Sequence, residues 1–158
     1  MSLQPYAAVE IFKEPEKLAG FNAENIRKAR KVRDGADNML QLVAKNKVKT
    51  FAGADLWQEG IITKTPEDMV LRKRWFKDVE ILRQNTSYAA KWLAKSGTKN
   101  PNREGPLGVI EEGAYADLLL VEGNPVEDVS ILADWQNNIR LIMKDGEIYK
   151  NNSKEKNE

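Results

Sequence analysis

A long helical stripe followed closely by a short strand constrains the fold of this chain more than any other feature. Apolar residues recur along Ala23–Lys45 at steps of three, four and one, directly after Asn22, which can cap a helix. Val48–Ala52 follows, is rich in β-branched and aromatic residues, and ends at Gly53, which predicts a strand and a turn. A helix, a strand and a turn in this order are typical of an α/β unit.

After the first predicted strand, the sequence predicts further helices and then a series of short strands. Thr65-Pro66 predicts a new helix whose core stripe runs to Leu82, and after a joint at Asn85-Thr86 the helical pattern continues to Lys95. Beyond it, short apolar runs alternate with glycine turns, and Asp145-Gly146 predicts a β-hairpin.

The predicted division of the chain into segments follows from these changes in composition and predicted secondary structure. Residues 98–106 are rich in proline and glycine and are interpreted as a linker between a helix-rich segment, 1–97, and a β segment, 107–151. Residues 152–158 are polar throughout and are predicted to be a disordered tail.

Composition excludes several kinds of chemistry. The 158 residues include neither cysteine nor histidine, which rules out disulfides, thiolate nucleophiles, Ser-His-Asp chemistry and His-ligated metal sites within this chain alone. Lys and Arg number 25 and Asp and Glu 24, so the net charge of +1 gives no attraction to nucleic acid or to a membrane surface. No apolar run reaches the ~18 residues of a spanning helix, and no signal peptide is recognised, so we predict a soluble protein, cytoplasmic by default.

Several motifs occur in a fixed order along residues 22–151. They are Phe51-Ala52-Gly53-Ala54-Asp55, Glu80–Lys91, Ser96-Gly97, Asn100-Pro101, Gly108–Val121, Gly123-Asn124-Pro125, Glu127-Asp128 and Ile142–Lys150. In this order and spacing they resemble the C-terminal part of the amidohydrolase superfamily, in its imidazolonepropionase and Xaa-Pro dipeptidase-like branch.

This resemblance implies the fold class. Family members combine a (β/α)8 barrel with a small β-sandwich, and a barrel alone takes ~250 residues, more than this chain has. The chain is therefore expected to be α+β: the last barrel strand and its flanking helices, followed by a segment of the sandwich.

The resemblance also implies one site residue. Family members hydrolyse C–N bonds in amides, cyclic amides or peptides with one or two divalent metals, usually zinc, held by histidines, a carboxylated lysine or glutamate, and an aspartate after the last strand. Asp55 matches that aspartate, as metal ligand and catalytic residue of a complete enzyme. The family usually has Gly-Thr-Asp or Gly-Ser-Asp where this chain has Gly53-Ala54-Asp55, so one supporting hydroxyl is missing.

Other candidate residues have plainer interpretations. Trp57 follows Asp55 by two positions and is the candidate substrate contact, whereas Trp75 and Trp92 fall on helical stripes and are predicted to be core. The basic runs from Arg27 to Arg33 and from Arg72 to Arg74 are predicted to be solvated helix faces.

Three functions remain open from the sequence. The chain is part of a metal-dependent amidohydrolase and inactive alone, a non-catalytic binding or scaffold module, or one half of a split hydrolase. No cofactor is expected in this chain alone. Its expected partners are further copies of itself or the missing N-terminal barrel segment, because a partial barrel leaves apolar stripes and a strand edge uncovered.

Overall fold

The computed structural model describes residues 2–3, 10–53 and 65–153, and the fold is given for those residues. The chain divides into two compact units, Met1–Phe76 and Lys77–Glu158. The predicted linker at 98–106 lies within the second unit. The boundary between the barrel segment and the β segment stays a prediction.

The long helix of the first unit forms as predicted. Helix α1 spans Ala23–Lys45, and the backbone N–H of Asn25 donates to the Asn22 side chain at 2.9 Å, which caps the helix. Trp75 and Phe76, at the end of the unit, pack against Leu40 and Val43 of its buried stripe. The buried residues are Ala29, Ala36, Leu40 and Val43.

Two short 3-10 helices precede α1, at Ile11–Lys13 and Pro15–Lys17. Side chains of α1 hold them in place: Arg30 pairs with Glu16, and Arg33 donates to the Lys13 carbonyl at 3.3 Å.

The strand predicted over Val48–Ala52 is shorter in the structure. Strands β1 (Ser2–Leu3) and β2 (Phe51–Ala52) pair in parallel, with Ser2 opposite Phe51. Val48 and Lys49 lie before β2 and are not part of it, because the partner strand is only two residues long in the described region.

The predicted stripe from Thr65 to Leu82 is interrupted. Helix α2 covers Thr65–Leu71 and a 3-10 turn covers Arg72–Arg74, after which the chain leaves helical geometry at Trp75. The Trp75 indole N–H donates to Asp37 of α1 at 3.0 Å, so the residue at which helical geometry ends makes a tertiary contact.

The second unit begins with two helices, α3 (Asp78–Asn85) and α4 (Ser87–Ala94), which meet at the predicted joint. A 3-10 helix at Val129–Ala133 packs on α3, and the Val129 N–H donates to the Asp78 carboxylate at 2.8 Å. A short helix, α5 (Trp135–Asn138), leads into the sheet. The buried apolar residues of this unit are Ile81, Val129, Leu132 and Ile139.

The sheet has three antiparallel strands in the order β3 (Leu118–Val121), β4 (Ile139–Lys144), β5 (Glu147–Asn151). The predicted hairpin joins β4 to β5 through Asp145 and Gly146, whose φ angles are +51° and +79°. Positive φ at both positions is the type I′ geometry that Asp-Gly favours.

The strand candidates of the β segment predict one small core, formed by Val109, Leu118, Leu120, Ile139, Leu141 and Ile148, and this prediction is wrong for most of these residues. Leu118, Leu120, Ile148 and Val109 are exposed, Leu120 by 51%, and of the six Ile139 alone is buried. Within the described part of the chain, no second layer covers the sheet at these positions. Trp92, 41% exposed, is likewise not a core residue.

Candidate active site

The two residues predicted for the active site, Asp55 and Trp57, lie outside the described residues. The structure does describe both flanks of that segment, which are β2 with Gly53 on one side and α2 on the other.

Thr50, directly before β2, is the buried polar residue closest in sequence to the predicted site. Its side chain is fully buried, and its hydroxyl has no hydrogen-bond partner among the residues that the structure describes. A buried hydroxyl without a partner costs about 1–3 kcal/mol.

A buried ion pair holds the other flank. The Arg72 Nε–H donates to Asp68 at 2.7 Å, one helical turn away, and both side chains are almost completely inaccessible. Removing one partner of such a pair costs about 3–5 kcal/mol, because the other charge stays buried. Asp68 is thus a structural carboxylate that anchors α2, not an available base.

Sequence reasoning placed Arg72 wrongly, on a solvated basic face. The signal that identifies it is the spacing: Asp68 and Arg72 are four residues apart, so they lie on one side of the helix.

Three of the five residues in the basic run on α1 pair with nearby acids. Lys28 pairs with Glu24 at 2.7 Å, and Arg33 pairs with Asp34 at 2.7 Å. The hydrogen bond from Arg30 lowers the pKa of Glu16. These pairs favour a solvated surface over a phosphate-binding one.

No cluster of three or more His, Cys, Asp or Glu that could hold a metal ion occurs within residues 10–53 and 65–153. In those same ranges, no helix is both long enough and apolar enough to cross a bilayer.

An open cleft of about 390 Å³ lies in the second unit between α4 and residues 100–111. Lys91 and Glu111 are its charged lining residues.

Comparison with known proteins shows which solved structures the chain is similar to. No family model matches the sequence, and no curated protein matches it. Solved structures do match: an amidohydrolase with 26% identity and a TM-score of 0.78 aligns over 95% of this chain and 34% of its own. A Xaa-Pro dipeptidase with bound methionine in its active site has 27% identity, a TM-score of 0.69, and coverage of 94% and 34%. A prolidase complexed with N-methylphosphonate-L-proline has 28% identity, a TM-score of 0.70, and coverage of 94% and 33%.

The resemblance to the amidohydrolase superfamily is confirmed. The chain spans about a third of the length of these amidohydrolase relatives, as expected for one portion of such an enzyme. The fold class is also confirmed: helices and a small antiparallel sheet form the α+β part of a larger amidohydrolase architecture.

Proposed function

We propose that this chain supplies the C-terminal portion of a metal-dependent amidohydrolase that hydrolyses C–N bonds, and that it is catalytically silent alone. The observation that supports this most directly is the asymmetry of coverage: nearly the whole chain aligns, but only 33–34% of each relative does. The remaining two thirds of a relative have no counterpart here.

The donor set of the chain does not fit zinc by itself. Zinc takes about four ligands, chiefly imidazole and thiolate in proteins, and this sequence contains no histidine and no cysteine. Asp55 alone matches a family ligand position. Carboxylates without imidazole suit Mg²⁺ or Ca²⁺ better than Zn²⁺.

Within a complete enzyme, the chain's contribution is the placement of Asp55 and Trp57. Barrel active sites lie at the C-terminal ends of the strands, and Asp55 follows β2 after two intervening residues. In this proposal Asp55 is a metal ligand, and Trp57 contacts the substrate from the rim. The substrates of the whole enzyme are amides, cyclic amides or dipeptides.

The same lack of histidine favours a second arrangement, in which the chain is one half of a split hydrolase. A second polypeptide then brings the histidine ligands, and activity appears only in the mixture. A non-catalytic binding module is the alternative, favoured by the exposed apolar faces of the sheet.

The test is metal analysis and a hydrolase screen on chain purified without a histidine tag. We expect far less than one zinc per chain and no hydrolysis of amides, cyclic amides or Xaa-Pro dipeptides. About one zinc per chain, lost in Asp55→Ala but retained in the control Asp34→Ala, would overturn the claim of silence.

The coding DNA upstream of Met1 separates the remaining alternatives. A continuous reading frame that encodes a His-x-His segment supports a single enzyme, and a separate neighbouring frame supports a split one. With neither present, the proposal of an amidohydrolase fails and the binding module remains.

A further inference from the structure

The open cleft beside α4 has one wall that backbone contacts hold in place. This wall is the segment 100–111, in which Gly105 and Gly108 lie directly against other backbone. A Cβ added to Gly105 would collide with the Gly113 carbonyl oxygen. A Cβ added to Gly108 would lie 2.6 Å from the Thr86 carbonyl carbon. The wall is therefore formed before any ligand binds, as is usual for small-molecule sites.

The facing wall, on α4, is built from small side chains that leave room between the two. Ser87, Ala90 and Ala94 line the cleft at a spacing of three and four residues, so they lie on one side of the helix. The volume of about 390 Å³ falls within the roughly 300–1,000 Å³ of small-molecule sites. The described lining residues all belong to the compact unit Lys77–Glu158.

Four polar side chains with unused hydrogen-bonding capacity converge on the cleft. They are the Ser87 hydroxyl, the Lys91 ammonium, the Asn102 amide and the Glu111 carboxylate. Among the residues that the structure describes, none of these four side chains forms a hydrogen bond or an ion pair. Lys91 and Glu111 stand on opposite walls, so the cleft offers a positive charge on one side and a negative charge on the other.

We propose that the cleft binds a small zwitterion, an α-amino acid with an apolar side chain. The Lys91 ammonium is complementary to the carboxylate of such a ligand, and the Glu111 carboxylate is complementary to its ammonium. Ala90, Leu107 and Val109 give the apolar side chain a surface to pack on. A ligand with one charge would face a like charge on one wall, so the lining discriminates against it. This proposal is independent of the hydrolase function.

The exposure of the two charges sets the affinity. Lys91 and Glu111 are both exposed, and an exposed ion pair contributes little because water and salt screen it. For a ligand of this size in an open cleft, we therefore expect a Kd of about 1 mM that rises with added salt.

The direct test is a titration of the ¹⁵N-labelled chain with leucine to about 20 mM, followed by its amide chemical shifts. We expect saturable shifts confined to α4 and residues 100–111. N-acetyl-leucine and leucinamide each keep only one of the two charges. Each should bind about threefold to fivefold more weakly, which is the effect of one exposed ion pair. Equal binding of all three compounds would refute recognition of a zwitterion.

Two charge variants assign each end of the ligand. Lys91→Met should weaken the binding of leucine to the level of leucinamide, and it should not weaken leucinamide itself. Glu111→Gln should do the same for leucine and N-acetyl-leucine. The matched control is Lys95→Met, which changes an exposed lysine that lies over the Trp92 ring instead of in the cleft lining. Loss of leucine binding in this control as well would show that only the net charge of the unit matters.

A cavity-filling variant tests the place of binding. Ala94 is exposed, so Ala94→Leu fills the cleft without disturbing a core and should leave the thermal midpoint unchanged. It should abolish the saturable shifts. Binding of leucine to Ala94→Leu as to the wild type would place the ligand elsewhere and refute the proposal. Wild-type chain without saturable shifts would also refute it, and would leave a further polypeptide as the occupant of the cleft.

Discussion

Gly108→Ala tests the joint between α3 and α4 most sharply. Gly108 has φ of +68°, and an added Cβ would lie 2.6 Å from the Thr86 carbonyl carbon and 2.9 Å from the Ser87 nitrogen. Both are backbone atoms of the joint, so relief requires a shift of the two helices. Left-handed geometry costs a non-glycine residue about 1–2 kcal/mol. Overpacking adds about 1–3 kcal/mol, so we expect a total loss near 2–5 kcal/mol.

The matched control is Gly146→Ala in the hairpin turn. Gly146 has φ of +79°, but its added Cβ would meet nothing within 4 Å, so only the conformational part, about 1–2 kcal/mol, should be lost. Gly108 and Gly146 lie in the same compact unit, so one unfolding transition reports on both.

The assay is urea unfolding followed by circular dichroism, and a slope measured for each variant that equals the wild-type value confirms that only stability changed. The two variants should differ by about 1–3 kcal/mol, which is the steric part. If Gly108→Ala loses no more than Gly146→Ala, the close approach to the joint does not stabilise the unit and the reasoning is refuted.

Four further substitutions test buried and exposed positions by thermal or urea unfolding. Thr50→Val removes a buried hydroxyl that has no partner and should stabilise the first unit by about 1 kcal/mol; a loss would show that the hydroxyl is satisfied. Arg72→Met leaves the Asp68 carboxylate buried without its guanidinium and should cost about 3–5 kcal/mol, whereas a cost below about 1 kcal/mol would mean that water reaches the pair. Leu120→Ala should cost less than about 1 kcal/mol in this chain, since half of the side chain is exposed, whereas Ile139→Ala at a buried position should cost about 2–5 kcal/mol; equal losses would contradict the observed burial.

Local signals predicted the parts of the fold that local physics determines. The Asn22 cap and the 3.6-residue stripe specify α1, and Asp145-Gly146 specifies the hairpin, because each depends on neighbours within a few residues. Helical geometry is lost at Trp75, which contacts Asp37, 38 residues away in sequence, and no local pattern predicts that contact.

The remaining differences between the predictions and the structure concern which side chains are buried. Leu120 was predicted to be core because it lies in an apolar strand, but a sequence pattern does not say whether a second layer packs on that strand. Arg72 was predicted to lie on a solvated face because it belongs to a basic run, and its pairing with Asp68 makes burial possible. Asp55 was identified through family resemblance alone, and its role stays a prediction.

The contact between Asp78 and Val129 has a consequence for synthesis on the ribosome. It joins residues 51 apart, so α3 leaves the ribosome well before the 3-10 helix that covers it has been made. At a synthesis rate of about 5–20 residues per second, the apolar side of α3 stays uncovered for about 3–10 s until that 3-10 helix has been made. The β4–β5 hairpin closes within about 1–10 μs once its strands are free. The nascent chain is therefore most exposed to chaperones, and to aggregation, while residues 79 to 129 are being added.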